Sequence, residues 1–398
     1  MKMDSNNIVI FSSCLEPWGG SEELWGKTAE ILATKGFQIH VFKFTVDFNN
    51  QQIKKLQALG VKFSDLDQYV PSRTRRIWYR ILPHHPFRTL TMFIKKKLGR
   101  EINKLRPKLI IISQGGNFDG FENVSFCPLD RFPFVTISQR ADYNYWANDL
   151  DREWMKIIWR NSAKNYFVSR HNLQLTQDQF GMEFENAEVV RNPFLTNVDD
   201  ALPWEFSKDE KVRIACVGRL FVQDKGQDIL LRVLADKKWR ERNLEVSFFG
   251  KGRNKMGLLD FAQYLGLKNV AFNGHVSDVI SIWQSHQALI LPSRNEGLPL
   301  VLVEAMLCGR TAIVTDVGGN KEVLEDNVTG FISKSVDEVG VDEALERAWQ
   351  RVDEWGPIGK LAAQKIREKV PVNPEEVFAE KLLEIIREKT NLVEEIDD

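Results

Sequence analysis

At 398 residues the chain is long enough for two domains, each burying its own core. With 43% hydrophobic and 27% charged residues it is neither disordered nor fibrous, and a formal net charge of -1 excludes a global attraction to nucleic acid. The four cysteines, Cys14, Cys127, Cys216 and Cys308, have no paired spacing, which argues against a zinc site or a disulfide framework and fits a reducing cytoplasm.

From the N-terminus, Met-Lys-Met-Asp-Ser-Asn-Asn runs straight into a strand-like segment with no basic-then-apolar leader, and nowhere do 18 apolar residues run together. The expectation is a chain neither secreted by that route nor spanning a membrane. Short apolar runs then alternate with helical patterns, the signature of βαβ units and parallel sheets. Residues 8–13, 38–44, 108–113, 134–137 and 165–168 read as buried strands of the first half; 213–217, 245–249, 270–273, 288–291 and 311–315 read as those of the second. Between them residues 191–211, with two prolines and clustered polar residues, read as a domain boundary. The expected division is an N-terminal domain over 1–195, a C-terminal domain over 196–373, and a terminal helix over 374–398. That helix carries Val377, Leu382, Leu383 and Ile386 at helical spacing and is expected to pack back on the first domain. The fold class is α/β: two Rossmann-like doubly wound domains facing a cleft, with ligands beyond the carboxyl ends of the strands.

Several apparent motifs fail on spacing. The segment from Gly20 to Thr28 ends like a P-loop, but five residues separate Gly20 from Gly26 where that motif needs four, and two of them are glutamates. Gly250-Lys-Gly252 follows a strand, yet the next glycine is 257 rather than 255, so the dinucleotide fingerprint is incomplete. Asp65 with Asp67, and Asp149 with Asp151, have no histidine beside them, and the adjacent His84 and His85 would point different ways. No metal site is expected.

The second half carries a more coherent set. Residues 288–291 form a short apolar strand, 292–299 a turn, and 300–307 a helix stopped by Gly309. Pro299 is placed in the first helical turn, where it loses no hydrogen bond. The amides of Gly297, Leu298 and Leu300 then lack intrahelical acceptors and sit at the positive end of the helix dipole, which suits a phosphate. Glu296 just ahead of this helix and Glu304 one turn inside it make sense there if they bind something other than an anion, such as sugar hydroxyls; acidic residues also stabilise helix starts unaided. Three further strand ends carry related turns: Gly218-Arg219-Leu220 with Lys225-Gly226, Gly250-Lys251-Gly252, and Gly274-His275-Val276-Ser277. Arg219 and Lys225 suit the clamping of a diphosphate and the stabilisation of its charge as a leaving group. Together the four turns describe one nucleotide-diphosphate site.

The stretch Glu296-Gly-Leu-Pro-Leu-Val-Leu-Val-Glu304, preceded by Leu291-Pro-Ser293 and followed by Ala305-Met-Leu-Cys-Gly309, resembles the signature of glycosyltransferase family 4, retaining nucleotide-sugar transferases of the two-domain GT-B fold. Val217-Gly-Arg-Leu220 with Lys225-Gly226, and Val317-Gly-Gly-Asn-Lys-Glu322 followed by Gly330-Phe331, match the same family in order, over roughly residues 211–335. The resemblance implies that Arg219 and Lys225 bind the donor diphosphate and that Glu296 holds hydroxyls of the transferred sugar, these three being the catalytic set. Gly297, Leu298, Pro299 and Leu300 would complete the phosphate and sugar contacts, and Glu304 would hold the ribose. His275 and Val276 would receive the base, with Gly250 and Gly252 lining the pocket. It also implies a nucleoside diphosphate sugar as co-substrate, no metal or other cofactor, and no protein nucleophile. A glycosidase pair fits less well: eight helical residues rise about 12 Å, against roughly 5–9.5 Å between carboxylates acting on one glycosidic bond.

In the first half, Glu16-Pro-Trp-Gly-Gly-Ser-Glu-Glu23 resembles the family's glycine-rich loop near the donor phosphates and the acceptor. Gly19 and Gly20 permit close backbone approach, with Ser21 as N-cap and Glu22 and Glu23 in the first turn; those capping roles also suffice by themselves. Many family members place a histidine after an N-domain strand, where this chain has Gln139, Arg140 and Asp142 as acceptor-side candidates. Tyr143, Tyr145 and Trp146 follow, suited to stacking on a sugar or to a core. Residues 71–108 hold twelve basic residues (Arg73, Arg75, Arg76, Arg80, Arg88, Lys95, Lys96, Lys97, Arg100, Lys104, Arg106 and Lys108) against one acid, Glu101, with Trp78, Tyr79, Phe87 and Phe93 interleaved. This fits an anionic membrane surface, a polyanionic acceptor, or a solvated helix face.

The expected function is transfer of a sugar from a nucleoside diphosphate sugar to a hydroxyl of a glycan or lipid-linked acceptor, in polysaccharide biosynthesis. The expected setting is the cytoplasm, peripherally at the inner face of the membrane, with no nucleic-acid partner. A GT-B-fold epimerase or nucleotide-sugar hydrolase, or a non-catalytic nucleotide-sugar-binding protein, are the alternatives.

Overall fold

The computed structural model describes residues 5–16, 18–69, 88–194, 199–204 and 210–397. They form two compact units, one of residues 1–193 with 373–398 and the other of residues 194–372.

The N-terminal unit is built on a seven-stranded sheet in the order β3-β2-β1-β4-β5-β6-β7. The strands are β1 (Asn7–Ser12), β2 (Gln38–Lys43), β3 (Lys62–Asp65), β4 (Leu109–Gln114), β5 (Phe134–Ser138), β6 (Lys164–Phe167) and β7 (Ala187–Val189). Every pairing is parallel. Alternate residues enter opposite cores: Ile8, Ile10, Leu109 and Ile111 on one face, and Val9, Phe11, Ile110 and Ile112 on the other. Burial on both faces is why the central strands β1, β4 and β5 are largely apolar in the sequence.

The C-terminal unit repeats the plan with a six-stranded sheet, β10-β9-β8-β11-β12-β13. Its strands are β8 (Val212–Val217), β9 (Leu244–Phe249), β10 (Val270–Gly274), β11 (Ala288–Leu291), β12 (Thr311–Thr315) and β13 (Phe331–Ser333), again all parallel. Ile214, Ala288, Ile290 and Ile313 point to one core, Ala215, Leu289, Leu291 and Val314 to the other. The ten apolar runs read from the sequence are all strands here. The additional strands β3, β7 and β13 are edge strands of four residues or fewer. In β3 and β7 no residue is fully buried, so neither produces an apolar run.

The terminal helix, Pro374–Asp397, lies on the helix Gly20–Thr34 of the N-terminal unit. Phe378, Leu382, Leu383, Ile385 and Ile386 enter its core, and the Phe378 ring meets Tyr166 edge-on at 5.0 Å. Val377, which the helical spacing assigned to the apolar face, is exposed, and Phe378 takes the inward position. Phe378→Ala is therefore expected to destabilise the N-terminal unit by about 3–5 kcal/mol in urea unfolding. Val377→Ala should change it by less than about 0.5 kcal/mol. Equal effects would contradict this packing.

Candidate functional site

The carboxyl ends of β8, β9 and β10 are drawn together backbone to backbone. The Gly218 amide donates to Phe249 O (2.9 Å), the Gly250 amide to Gly274 O (2.7 Å) and the Leu220 amide to Lys251 O (2.9 Å). Gly250 has φ +134°, and a Cβ there would collide with Gly218 O; a Cβ on Gly252 would collide with Leu220 O. Only glycine permits this approach. The turns after β8, β9 and β10, grouped from the sequence, are thus a single continuous edge.

The loop after β11 docks on that edge. Thr315 Oγ1 donates to Ser293 O (2.6 Å), and the Arg294 and Asn295 amides donate to Asp224 O (2.8 and 3.1 Å). Arg294 forms a two-pronged pair with Asp228 (2.6 and 2.8 Å) and also donates to Val222 O (2.7 Å). Burial pushes the Asp228 carboxyl up, but the hydrogen bonds and charge of Arg294 outweigh it and hold the group below its ordinary value. Gly226, at φ +61°, leaves room for Pro292 O, and Gly318, at φ +54°, lies against the carbonyls of Glu296 and Gly297.

These constraints bring Lys225 and Glu296 into contact. Lys225 Nζ donates to Glu296 Oε1 at 2.6 Å, and Ser293 Oγ donates to the same oxygen at 2.8 Å. Glu296 is only 6% exposed. The Lys225 stem passes over Gly218, within 3.7 Å of where a Cβ would stand. Arg219 is half exposed, its guanidinium 3.6 Å from Asp224. The helix Leu300–Leu307 begins here, with Pro299 as its N-cap in extended backbone (ψ 123°) rather than inside its first turn. The Gly297, Leu298 and Leu300 amides find no acceptor among the described residues. Three buried polar atoms on neighbouring segments, Gln227 Oε1, Asn295 Nδ2 and Asn320 Oδ1, also lack a partner among the described residues. Cations, amides and unsatisfied polar atoms on one strand-end edge suit a polyhydroxylated anion.

Arg219, Lys225, Gly250, Gly252, Glu296 and Gly297 are therefore brought together. His275 is exposed and Val276 half-buried at the end of β10, which joins the edge through the Gly250–Gly274 hydrogen bond. Glu304 is buried within its helix rather than solvated. Neither the Ser293 hydroxyl nor the Arg294–Asp228 clamp was given a role from the sequence: Ser293 reaches Glu296 only because the loop between them folds back, and Arg294 and Asp228, 66 residues apart, meet only through the sheet order.

In the N-terminal unit, Gly19 is the N-cap of the helix Gly20–Thr34, in ordinary extended backbone, and a Cβ there would make normal contact. Ser21, expected as the cap, lies in the first turn and donates to Glu22 Oε2 (2.8 Å). Glu22 and Lys43 form a wholly buried ion pair (3.4 Å), and Lys43 Nζ also donates to Cys14 O. Trp18 Nε1 donates to Glu23 Oε1 (2.7 Å), while burial pushes the Glu23 carboxyl above its ordinary value. Gly26, Lys27 and Thr28 lie inside the helix, with Lys27 3.7 Å from Glu375, so they form no phosphate loop.

Of the acceptor-side candidates, Gln139 is buried, accepting from Asn192 Nδ2 (2.7 Å) while its own Nε2 has no acceptor among the described residues. Asp142 accepts from the Asn144 amide (2.8 Å) and so shapes its own turn. Arg140 lies near Asp119, whose carboxyl burial pushes up, opposed by the Gly116 amide and Arg140. In the basic stretch, Lys95 pairs with Glu122 (3.8 Å) and Lys97 lies over the Tyr69 ring (3.9 Å), whereas Lys96, Arg100, Lys104 and Arg106 are exposed. Arg73, Arg75, Arg76, Arg80, Trp78, Tyr79, His84, His85 and Phe87 fall outside the described residues, as do the side chains of Arg88 and Phe93. Among the described residues, no helix is long and apolar enough to cross a membrane, and no three His, Cys, Asp or Glu side chains gather as a metal site.

Two doubly wound parallel sheets of this kind are the GT-B architecture. Anabaena HepE, solved in complex with UDP, shares it with a TM-score of 0.68 at 17% identity, over 95% of this chain and 100% of HepE. The family described as glycosyl transferases group 1 matches residues 211–351. Protein CapJ of Staphylococcus aureus is 23% identical over 315 residues, covering 75% of this chain and 74% of CapJ. An uncharacterised glycosyltransferase of Methanocaldococcus jannaschii is 30% identical over 287 residues, covering 71% of this chain and 78% of that protein. The chain belongs to the GT-B-fold glycosyltransferases.

The strand-end edge makes a paired prediction about two glycines. Gly250→Ala should cost about 3 kcal/mol or more, since it combines a forbidden backbone conformation with a collision. Gly257→Ala, inside the helix Lys255–Tyr264 with open space around it, should stabilise by about 0.5–1 kcal/mol. Thermal unfolding of both variants reads the contrast, and a harmless Gly250→Ala would contradict the close approach.

Proposed function

We propose that this protein is a retaining glycosyltransferase of family 4 type, moving a sugar from a uridine diphosphate sugar to a hydroxyl of a glycan or lipid-linked acceptor. The observation that carries the reading is the Lys225–Glu296 contact at 2.6 Å beside the unpaired amides of Gly297, Leu298 and Leu300. A cation and amides suit a diphosphate, and a fixed carboxylate suits sugar hydroxyls. The choice of uridine rests on likeness of fold to HepE, solved with UDP.

In this reading Arg219 and Lys225 neutralise the diphosphate, Glu296 holds the transferred sugar and Glu304 the ribose. The backbone at His275 and Val276 receives the base, and Gly250 and Gly252 line the pocket. The acceptor oxygen bonds to the anomeric carbon as the bond from that carbon to the phosphate oxygen breaks. UDP leaves with the electron pair, and the acceptor's proton passes to a phosphate oxygen. Attack and departure on one face of the sugar give retention, and the two cations stabilise the charge that a metal would otherwise balance. The donor domain is the C-terminal unit. The acceptor domain is the N-terminal unit, with the Gly19–Gly20 loop and residues 139–142 on the acceptor side. A cytoplasmic protein held at the inner membrane face by residues 73–108 completes the proposal.

Calorimetry with UDP tests the site: Lys225→Ala and Arg219→Ala should each weaken binding about tenfold or more, the value of a charge-assisted hydrogen bond. Unchanged binding and turnover in both variants would remove the assignment. UDP release from UDP-glucose and UDP-N-acetylglucosamine should depend strongly on added acceptor. Equal release without acceptor would indicate a hydrolase, and binding without release a non-catalytic protein.

A further inference from the structure

The loop of residues 141–148, after β5, exposes three large aromatic side chains: Tyr143 at 61%, Tyr145 at 50% and Trp146 at 57%. The core alternative left open by the sequence is thus excluded. Exposed aromatics on a mobile loop would mean little, but this loop is pinned. Gln179 Nε2 donates to the carbonyls of Asp142 (2.7 Å) and Tyr145 (3.1 Å), and Trp146 Nε1 donates to Tyr143 O (2.9 Å). The Tyr143 hydroxyl is 2.8 Å from His171 Nε2, and the Tyr145 ring lies flat on Phe118 (4.6 Å between centroids, 16° between planes). The rings are therefore held in place before anything binds, which removes much of the ordering cost of recognition.

The surroundings suit an uncharged, hydroxyl-rich partner. From Arg140 to Glu153 there are two arginines, Arg140 and Arg152, against four acids, Asp142, Asp149, Asp151 and Glu153, and no lysine. That balance repels an anionic lipid surface. At the neighbouring ends of β5 and β6, the buried donors Gln139 Nε2 and Asn172 Nδ2 have no acceptor among the described residues. Because the sheet is parallel, the carboxyl end of β5 shares its edge with the carboxyl end of β1 and the loop of Gly19 and Gly20.

We propose that Tyr143, Tyr145 and Trp146 form a platform that holds a pyranose ring of the acceptor glycan by stacking on its C–H face. The assignment rests on the transferase reading and adds to it the class of acceptor: a sugar chain rather than a lone lipid phosphate. Ring C–H groups carry the partial positive charge that an aromatic face attracts, and the sugar hydroxyls are left for the polar rim.

The probes are cello-, malto-, chito- and laminarihexaose, examined by saturation-transfer NMR, with UDP calorimetry in parallel. At least one hexaose should bind, with transfer concentrated on ring C–H protons. Trp146→Ala and Tyr143→Ala should each weaken it by about tenfold, and Trp146→Phe should retain most of the binding, while UDP affinity stays at the wild-type value in all three. Urea unfolding of the N-terminal unit at the wild-type midpoint certifies that the variants are folded. The proposal is overturned if no hexaose binds, if the variants bind as the wild type does, or if the alanine variants lose binding to phosphatidylglycerol vesicles instead. Hexaose binding at the platform without UDP binding anywhere would sink the transferase reading while leaving the platform standing. UDP binding with an inert platform would do the reverse.

Discussion

The C-terminal unit depends on backbone approaching backbone where a side chain would not fit. Gly250 against Gly218, Gly226 against Pro292 and Gly318 against Glu296 each place a carbonyl where a Cβ would otherwise be. Three positive-φ glycines therefore fix the turns after β8, β9, β11 and β12 relative to one another. With those turns fixed, Lys225 and Glu296, 71 residues apart, meet at hydrogen-bond distance. A chemical site on loops gains its precision in this way from the rigid strand ends that carry it.

Charge placement follows from the same geometry. Lys225 and Arg219 each have a carboxylate within reach, Glu296 and Asp224, so the cations are oriented without leaving a large uncompensated charge in a half-buried place. Arg294 and Asp228 do not reach for a ligand; they tie the loop of Glu296 to the helix Gln227–Leu234 behind it. The N-terminal unit has its own counterpart in Lys43 and Glu22, a buried pair that ties the end of β1 to the first turn of the next helix through Cys14 O and Ser21.

What could be read from the sequence tracks what is local. Central strands were legible because burial on both faces makes most of their residues apolar, and the helix Leu300–Leu307 because Gly309 stops it. The edge strands β3 and β7 left no such trace, being only half-buried. The candidate residues of the donor site were visible as glycine-rich or charged turns and were expected to share one site, but the contacts that join those turns were not visible, since they are set by strand order. Pro299 and Ser21 were each placed within a residue or two of their observed positions, the scale on which helix ends resist sequence reading. Lys43 with Glu22, and Arg294 with Asp228, lie beyond such reasoning altogether: nothing in a lysine on a strand announces a partner 21 residues away, nor in an arginine on a loop one 66 residues away. The aromatic run after β5 was visible as a run, and only the hydrogen bonds of Gln179 and the stacking on Phe118 reveal a pinned, exposed loop.

The central claim is that the strand-end edge of the C-terminal unit is a nucleotide-diphosphate site, and a crystal structure with bound UDP tests it most directly. The account predicts phosphate oxygens within hydrogen-bond distance of Lys225 Nζ, the Arg219 guanidinium and at least one of the Gly297, Leu298 and Leu300 amides, with the ribose at Glu304. Nucleotide bound elsewhere, or phosphates facing away from Lys225, would contradict it.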